Sequence, residues 1–468
     1  MPMIPVSAPP LPPLRLPRVA EIRSPHALAP LPEVLESPPP PPPIAPTTSR
    51  ARPRAIALAG LAVALAVVST ISSTTITSGA ALVPAVVSGL AEAPTVRYEP
   101  QAGRSLIFVN NPEQLRAEDL ADARHGAHAI YRDRIGEGAH RAFFEHLNVS
   151  GRTIGYGVSL TNPGSTPLEV RVGGQGFEAS MRGGEPLRAV LRGEGAQAGT
   201  RTLAPGERMY LMRRDQAVRN LAFFSGAVDF EVRGGEAVVE AFAHEGTGEV
   251  PRTLGYLGYV QRTEVDGTRE SRMYKGHSPT GEVLARDVDF TLDDSVSNGT
   301  LPVWHETYDL DARAYRPPSL SEGGWFTHIG PRYQERAVTR DMAVFDMPGW
   351  GRVDATEPTD GTSQYPNLGN WGIVYTVEGK VANHGTCPRR VTLNLIANPR
   401  HGASFAWRNT DQPWAAGTLT RGERMVCDSF VVAPGQTRPY RASFVLGGPS
   451  GGNLRQFFTV SDVSEPAS

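Results

Sequence analysis

The sequence predicts an all-β protein: two immunoglobulin-like β-sandwiches behind a disordered proline-rich tail and one transmembrane or signal segment. Three observations predict it. Short apolar or alternating runs are punctuated by Gly, Pro and Asn, two blocks of sequence repeat in the same order, and one long uncharged window separates the tail from the rest. Residues 154–160 (IGYGVSL), 168–172 (LEVRV), 227–232 (AVDFEV), 237–242 (AVVEAF), 372–377 (GIVYTV), 391–396 (VTLNLI) and 441–446 (RASFVL) have the period and the bounding residues of half-buried strands. One window, residues 113–131 around LRAEDLADARHGAHAIY, reads as helical, because Leu115, Leu120, Ala123 and Ile130 share a face.

The repeat fixes the number of sandwiches. Leu160-Thr161-Asn162-Pro163-Gly164-Ser165-Thr166-Pro167 aligns without a gap onto Val381-Ala382-Asn383-His384-Gly385-Thr386-Cys387-Pro388. Further on, residues 203–209 (LAPGERM) match residues 419–425 (LTRGERM). A strand that reverses at Asn-x-Gly uses two residues that tolerate positive φ. If the copies are matching strands of separate sandwiches, Leu160 and Val381 point inward, as do Val170 and Val391. The boundaries that follow are residues 1–54 for the tail, 55–91 for the membrane or signal segment, and 96–262 for the first sandwich. Residues 263–370 form a long linker with extra strands belonging mostly to the second domain, and 371–468 form the second sandwich core.

Seventeen of the chain's 42 prolines fall before residue 50, a composition that forms neither helix nor ladder and favours extended polyproline II. Residues 55–91 then carry no charge at all, entered from Arg50, Arg52 and Arg54. The arginines place the tail in the cytoplasm and everything after Glu92 outside it. Two readings of the apolar run stay open: a single span of a bacterial membrane over residues 55–76, or a cleaved signal followed by small residues at 78–80 or 91–93. The localisation is accordingly the cell membrane with the C-terminal part extracytoplasmic, or secretion.

A net charge of −2 argues against nucleic acid as a partner. Only Cys387 and Cys427 are present, and two thiols in an oxidising compartment within strand-like runs suggest one disulfide; two free cysteines are the alternative.

Residues 144–148 (FEHLN), 155–165 (GYGVSLTNPGS) and 369–375 (GNWGIVY) leading to Asn383 resemble an uncharacterised family of exported β-rich proteins common in cyanobacteria, over about residues 96–460. The resemblance implies an envelope protein of paired β domains and brings no catalytic residue with it.

No GxSxG, HExxH, P-loop or CxxC motif occurs. Alternating acids, Asp287 with Asp289 and Asp309 with Asp311, place two carboxylates on one strand face and make weak candidates for Ca²⁺. The same spacing describes an ordinary solvated strand face. Trp304, Tyr308, Trp325 and Trp350 are candidates for a stacking platform, set against tryptophan's usual use as core filler. His146, His244, His328 and His384 are scattered and read as surface or cap residues. Two functions survive: a non-catalytic envelope protein, anchored or secreted, that meets another envelope protein or a surface polymer; or a carbohydrate-binding or carbohydrate-processing protein using residues 287–360.

Overall fold

The computed structural model describes residues 76–77, 85–121, 127–251, 254–257, 275–278, 280–305, 308–309, 314–315, 319–320, 326–327, 371–397, 402–448 and 454–463. The expected tail, the span up to residue 75 and most of the linker lie outside them. In chain order the first sandwich contains β1 (Arg104–Val109), α1 (Ala117–Ala121), β2 (Ala127–Ile135), β3 (Gly138–Asn148), β4 (Ile154–Thr161), β5 (Leu168–Glu178), α2 (Gly184–Leu191), β6 (Arg201–Leu203), β7 (Arg208–Val218), β8 (Phe223–Arg233), β9 (Ala237–His244) and β10 (Lys275–Ser278). The second contains β11 (Glu282–Ala285), β12 (Phe290–Leu292), β13 (Gly299–Leu301), β14 (Val374–Asn383), β15 (Arg389–Ala397), β16 (Ala403–Arg408), β17 (Ala415–Leu419), β18 (Arg424–Val432), β19 (Thr437–Gly447) and β20 (Leu454–Asp462).

All seven strands read from periodicity are present. The first sandwich packs a sheet ordered β6-β5-β8-β3-β1-β10 on one ordered β7-β4-β9-β2, around a core that includes Ile107, Phe144, Tyr156, Leu160, Val170 and Phe224. The second packs β17-β16-β19-β14-β11 on β18-β15-β20-β13, around Val381, Val391, Leu393, Phe405 and Phe458. Leu160, Val170, Val381 and Val391 are all buried, as the repeat requires.

The domain boundaries shift. Strand β10 pairs with β1, so the first sandwich extends past residue 262. The second sandwich draws on chain from both sides of the first. Ile76–Thr77 pair with Met425 and Arg424 of β18, Glu99–Pro100 pair with β11, and Val87 hydrogen-bonds to Thr300. The first sandwich is thus inserted into the second. Residues 85–91, uncharged and expected in the membrane or signal segment, form one edge of this fold.

The helical window resolves differently. Among the described residues of this window Ala117–Ala121 is helical, and residues 127–131 belong to β2, where every residue from Ala127 to Tyr131 is buried. A strand covered on both faces loses its two-residue period, so its alanines mimicked a helix. The longer described helix is α2, whose Leu187 and Val190 enter the shared core. It lies against β5 because Gly174 and Gly176 leave room: a Cβ at Gly174 would meet the backbone of Val190, and one at Gly176 that of Pro186.

Three asparagines close the sandwich corners in one way. Asn162 donates from Nδ2 to the carbonyls of Thr166 (2.8 Å) and Leu203 (2.9 Å), and its Oδ1 accepts from the Gly164 amide (2.9 Å). Asn383 donates to Cys387 and Val432 (both 2.9 Å) and accepts from Gly385 (3.0 Å). Asn148 donates to Arg152 (2.8 Å) and Val218 (3.1 Å) and accepts from Ser150 (3.1 Å). Each side chain therefore holds its own turn and, through the distant carbonyl, a second turn. That second turn returns a backbone N–H to the asparagine carbonyl from Gly206, Gly435 or Leu221, with φ of 72°, 72° and 63°.

The matching turns are therefore residues 204–207 (APGE), 433–436 (APGQ) and 219–222 (RNLA), not residues 419–425 as the second repeat block suggested. The turn at Thr420–Glu423 does share a local device with Ala204–Glu207: the Glu carboxylate accepts the amide three residues back, at 2.7 and 2.9 Å. It joins different strands, so the resemblance is one of turn chemistry and not of topology.

Glycines in the central strands receive aromatic rings from the neighbouring strand. Gly157 lies opposite Phe242, Gly155 opposite His244 and Gly226 opposite Phe144, and in each case the ring occupies the space a Cβ would fill. The GYG word of β4 is thus a packing feature.

The sandwiches meet through a shared core. Leu106, Phe108, Phe143 and Ala227, on the second face of the β1-containing sheet, join the same hydrophobic cluster as Trp371, Tyr375 and Phe405. Phe108 stacks on Trp371 with ring centroids 6.3 Å apart. At the α2 end, Gly183 and Gly184 lie against the backbones of Gly448 and Phe405, so closely that no side chain fits, and the Gly184 amide donates to Ser404 Oγ (2.9 Å).

Candidate functional site

A cluster of titratable groups lies inside the first sandwich, near the turn between β2 and β3. Ser105 and His140 are direct partners in the parallel β1–β3 ladder. Ser105 Oγ is 2.6 Å from His140 Nδ1, and His140 Nε2 is 3.0 Å from the Gly136 carbonyl. Burial lowers the His140 pKa, with the Arg104 charge adding to the fall and the Gly136 carbonyl opposing it. The ring is therefore neutral at pH 7. A carbonyl can only accept, so the proton resides on Nε2 and Nδ1 accepts the Ser105 hydroxyl. His277 on β10 lies 6.1 Å away between ring centroids, and its Nδ1 is 4.0 Å from Asp133, which also accepts from Tyr131 Oη (3.1 Å).

Hydroxyl, neutral imidazole and a positioned N–H are the parts of a nucleophile and its base. Ser105 and His140 are nonetheless both buried, and His140 stacks on Phe230 at 5.2 Å. A closed dyad of this kind satisfies polar groups at the end of a core, and it presents no reacting atom to a substrate.

On the opposite face of the same sheet, Arg141 is wholly buried and makes a two-pronged pair with Asp229 (2.8 and 3.1 Å), which Arg104 also contacts. Burial alone would lower the Arg141 pKa. Asp229, and then Glu282 of the second sandwich, more than restore it, so the guanidinium stays charged.

A groove of about 370 Å³ opens on the exposed end of that face, lined by Glu169, Arg171, Gly199, Thr200, Glu231 and Arg233. Its charges are cross-strand pairs, Glu231 opposite Arg171 and Arg233 opposite Glu169, an arrangement that stabilises the β5–β8 ladder.

The residues singled out from sequence are not brought together. Asp287 has φ of 57° and precedes β12, so it does not alternate with Asp289 along a strand. Asp289 is bound to Lys380, through Nζ (3.2 Å) and the backbone amide (3.0 Å). Among the described residues no three His, Cys, Asp or Glu side chains could hold a metal ion together. Asp311, Trp325 and Trp350 and the side chains of Asp309 and Tyr308 lie outside the described residues. Trp304 is 39% exposed, while Trp371, Trp407 and Trp414 fill the second core.

The disulfide is not formed: Cys387 is an exposed free thiol and Cys427 a buried one. Strands β15 and β18 are neighbours, but Arg389 pairs with Val432 at one end and Cys427 sits at a bulge opposite Leu393 and Asn394. The thiols are then roughly 20 Å apart along the ladder, far beyond bonding reach.

His146 and His244 are core residues rather than surface ones. His146 Nδ1 lies 2.7 Å from the Pro112 carbonyl and Nε2 3.0 Å from Tyr156 Oη, so Nδ1 donates and the tyrosine hydroxyl donates to Nε2. Burial lowers its pKa to about 4. Gly155, directly opposite His244, was the sequence signal for that buried ring, whereas His146 stands opposite Phe224 and left no such signal. His384 is exposed, and His328 lies outside the described residues.

No protein-family model matches the chain, and no curated protein matches it. Among solved structures it is similar to the tandem CBM22-1–CBM22-2 domain of Paenibacillus barcinonensis Xyn10C, at 7% identity over 67% of this chain and 79% of that one, with a TM-score of 0.12. It is also similar to an anti-sigma factor domain-containing protein, at 9% identity over 70% and 80% of the two chains (TM-score 0.13). Lac15 from a marine microbial metagenome matches at 11% identity over 79% and 65% (TM-score 0.10). At these scores the likeness carries no argument about function.

Proposed function

We propose that the chain is a non-catalytic protein of the cell envelope, attached to the membrane by its apolar segment, whose two β-sandwiches act as one structural or interaction module. The observation that carries the reading is the shared core. Phe108, Phe143 and α2 of the first sandwich are buried against Trp371, Phe405 and Gly448 of the second, so the face where a two-domain enzyme would open a cleft is filled. The titratable cluster around His140 is enclosed as well, and the charged groove consists of internally paired ladders.

The experiment is affinity electrophoresis of the purified protein through gels containing xylan, β-glucan or pectin, beside assays with chromogenic glycosides and esters. The reading expects unretarded mobility and no turnover. Retardation that Trp304→Ala abolishes would move the assignment to carbohydrate binding.

A further inference from the structure

We propose that Glu145, Ser225 and Glu178, a row at the α2 end of the junction, bind one divalent cation of the calcium class, and that the ion clamps the two sandwiches together. Such a site does not depend on where the protein resides.

The three residues stand side by side on neighbouring strands. Ser225 of β8 is the direct partner of Glu145 on β3 and of Glu178 on β5. Directly opposed residues project from one face of a sheet, and here it is the face that carries Phe143 and Ala227 into the shared core. Ser225 is therefore flanked by a carboxylate-bearing residue on each side. It is wholly buried, and among the described residues its Oγ has no hydrogen-bond partner. Burying a hydroxyl in that state is costly, so its place between two acids points to a ligand that completes it. Glu145 is buried as well, and its carboxylate lies against Gly448 of the second sandwich so closely that no side chain fits there. The Glu178 carboxylate accepts from Ser180 Oγ (2.6 Å), and the Arg182 amide donates to the same hydroxyl (3.2 Å), which ties the row to the turn leading into α2.

The donor set selects the ion. Every side-chain donor in the row is oxygen, two carboxylates and a hydroxyl, with Ser180 Oγ beside them. Oxygen donors without imidazole or thiolate favour a hard cation, and two carboxylates match the charge of a divalent one. Calcium takes about 6–8 oxygens in irregular geometry, whereas magnesium demands a near-ideal octahedron. A row drawn from three strands of one sandwich and closed by the backbone of another suits the more tolerant ion. Only two acids take part, so hydroxyl and backbone oxygens or water complete the shell. Because Glu145 reaches Gly448, just past β19, an ion held here joins the first sandwich to the second beside the Gly183–Gly448 contact.

The test is calcium titration of the full chain in detergent after treatment with chelator, followed by calorimetry and by thermal unfolding. One ion per chain is expected to bind, with a Kd between about 10⁻⁵ and 10⁻³ M. Millimolar calcium is expected to raise the thermal midpoint by several degrees, and magnesium to raise it far less. Ser225→Ala removes the orphan hydroxyl without adding bulk. It is expected to be no less stable than the parent in chelator and to bind calcium about tenfold more weakly, a ratio of the size found when one supporting group of a metal site is lost. Glu178→Gln, at a half-buried position, is expected to show the same loss and keeps the test intact should Ser225→Ala fail to fold. Asp289→Asn is expected to leave binding unchanged. Absence of both binding heat and a midpoint shift at millimolar calcium overturns the proposal. So does binding that Glu178→Gln and a folded Ser225→Ala leave unchanged, which places the ion on other acids. Equal midpoint shifts with magnesium and calcium overturn the assignment to calcium.

Discussion

Asn162 and Asn383 occupy the same corner of two different sandwiches. Each spends both amide hydrogens on carbonyls, one four residues ahead and one at the end of a distant strand, and each is fully buried. Replacing either with alanine leaves two carbonyls and an amide without partners inside the protein. At about 1–3 kcal/mol for each orphaned group, partly offset by water entry, Asn162→Ala, Asn383→Ala and Asn148→Ala should each lower stability by roughly 2–4 kcal/mol. Urea midpoints check this, and a loss under about 0.5 kcal/mol would reduce the corner to a turn preference.

The third corner uses Leu221 where the others use glycine. A branched residue at φ of 63° is strained, and its side chain, 74% exposed, gains little from packing. Leu221→Gly should therefore raise stability by about 1 kcal/mol, less the entropy that glycine adds to the unfolded chain. A lower thermal midpoint would show that Leu221 makes contacts worth more than its strain.

His146 makes stability depend on pH. Its folded pKa of about 4 lies below the ordinary 6.5, so between these values the unfolded chain binds more protons than the folded one. Its contribution is complete above about pH 6.5 and falls away as the pH drops towards 4, by about 3 kcal/mol in all. His140 and His244 are lowered as well and add to the slope. His146→Gln should flatten the dependence of unfolding free energy on pH in that window by close to one proton; an unchanged slope would contradict the buried, neutral assignment.

The Arg141–Asp229 pair predicts an asymmetric double-mutant cycle. Removing one partner leaves the other charged and buried, which costs about 3–5 kcal/mol, whereas apolar replacement of both is often close to neutral. Arg141→Met and Asp229→Leu should each destabilise strongly and the double variant far less than their sum, as measured by denaturant unfolding. Strict additivity would mean that the two side chains do not act together.

What could be read from the sequence depended on how local the physics was. The Asn162 and Asn383 turns were legible because both halves of the device, an Asx turn and a positive-φ glycine, leave residue signatures. Asn148 was not, because Ser150 and Leu221 stand where the other copies have glycine. Strand β3 escaped because buried Arg141, Glu145 and His146 break its apolar pattern, and only their partners on other strands explain their burial. Helix α2 has eight residues and is secured by glycines of β5 and of the second sandwich, which no local pattern discloses. Cys427 lies on β18, but Cys387 lies in the turn ahead of β15, and the register that sets it at the far end of that ladder is not written in spacing. The acidic pairs failed for a related reason: Asp287 takes a positive φ, and Asp289 already has Lys380.

Whether the two sandwiches form one unit is settled most directly by equilibrium urea unfolding followed with two probes. No tryptophan precedes residue 304, and Trp371, Trp407 and Trp414 fill the second core, so tryptophan fluorescence reports the second sandwich, and a dye on Gln197→Cys, with Cys387→Ser, reports the first. A core shared by Phe108, Phe143 and Trp371 predicts coincident transitions with one midpoint, moved together by Gly183→Ala at the junction. Two separate transitions, with Gly183→Ala shifting neither, would contradict it.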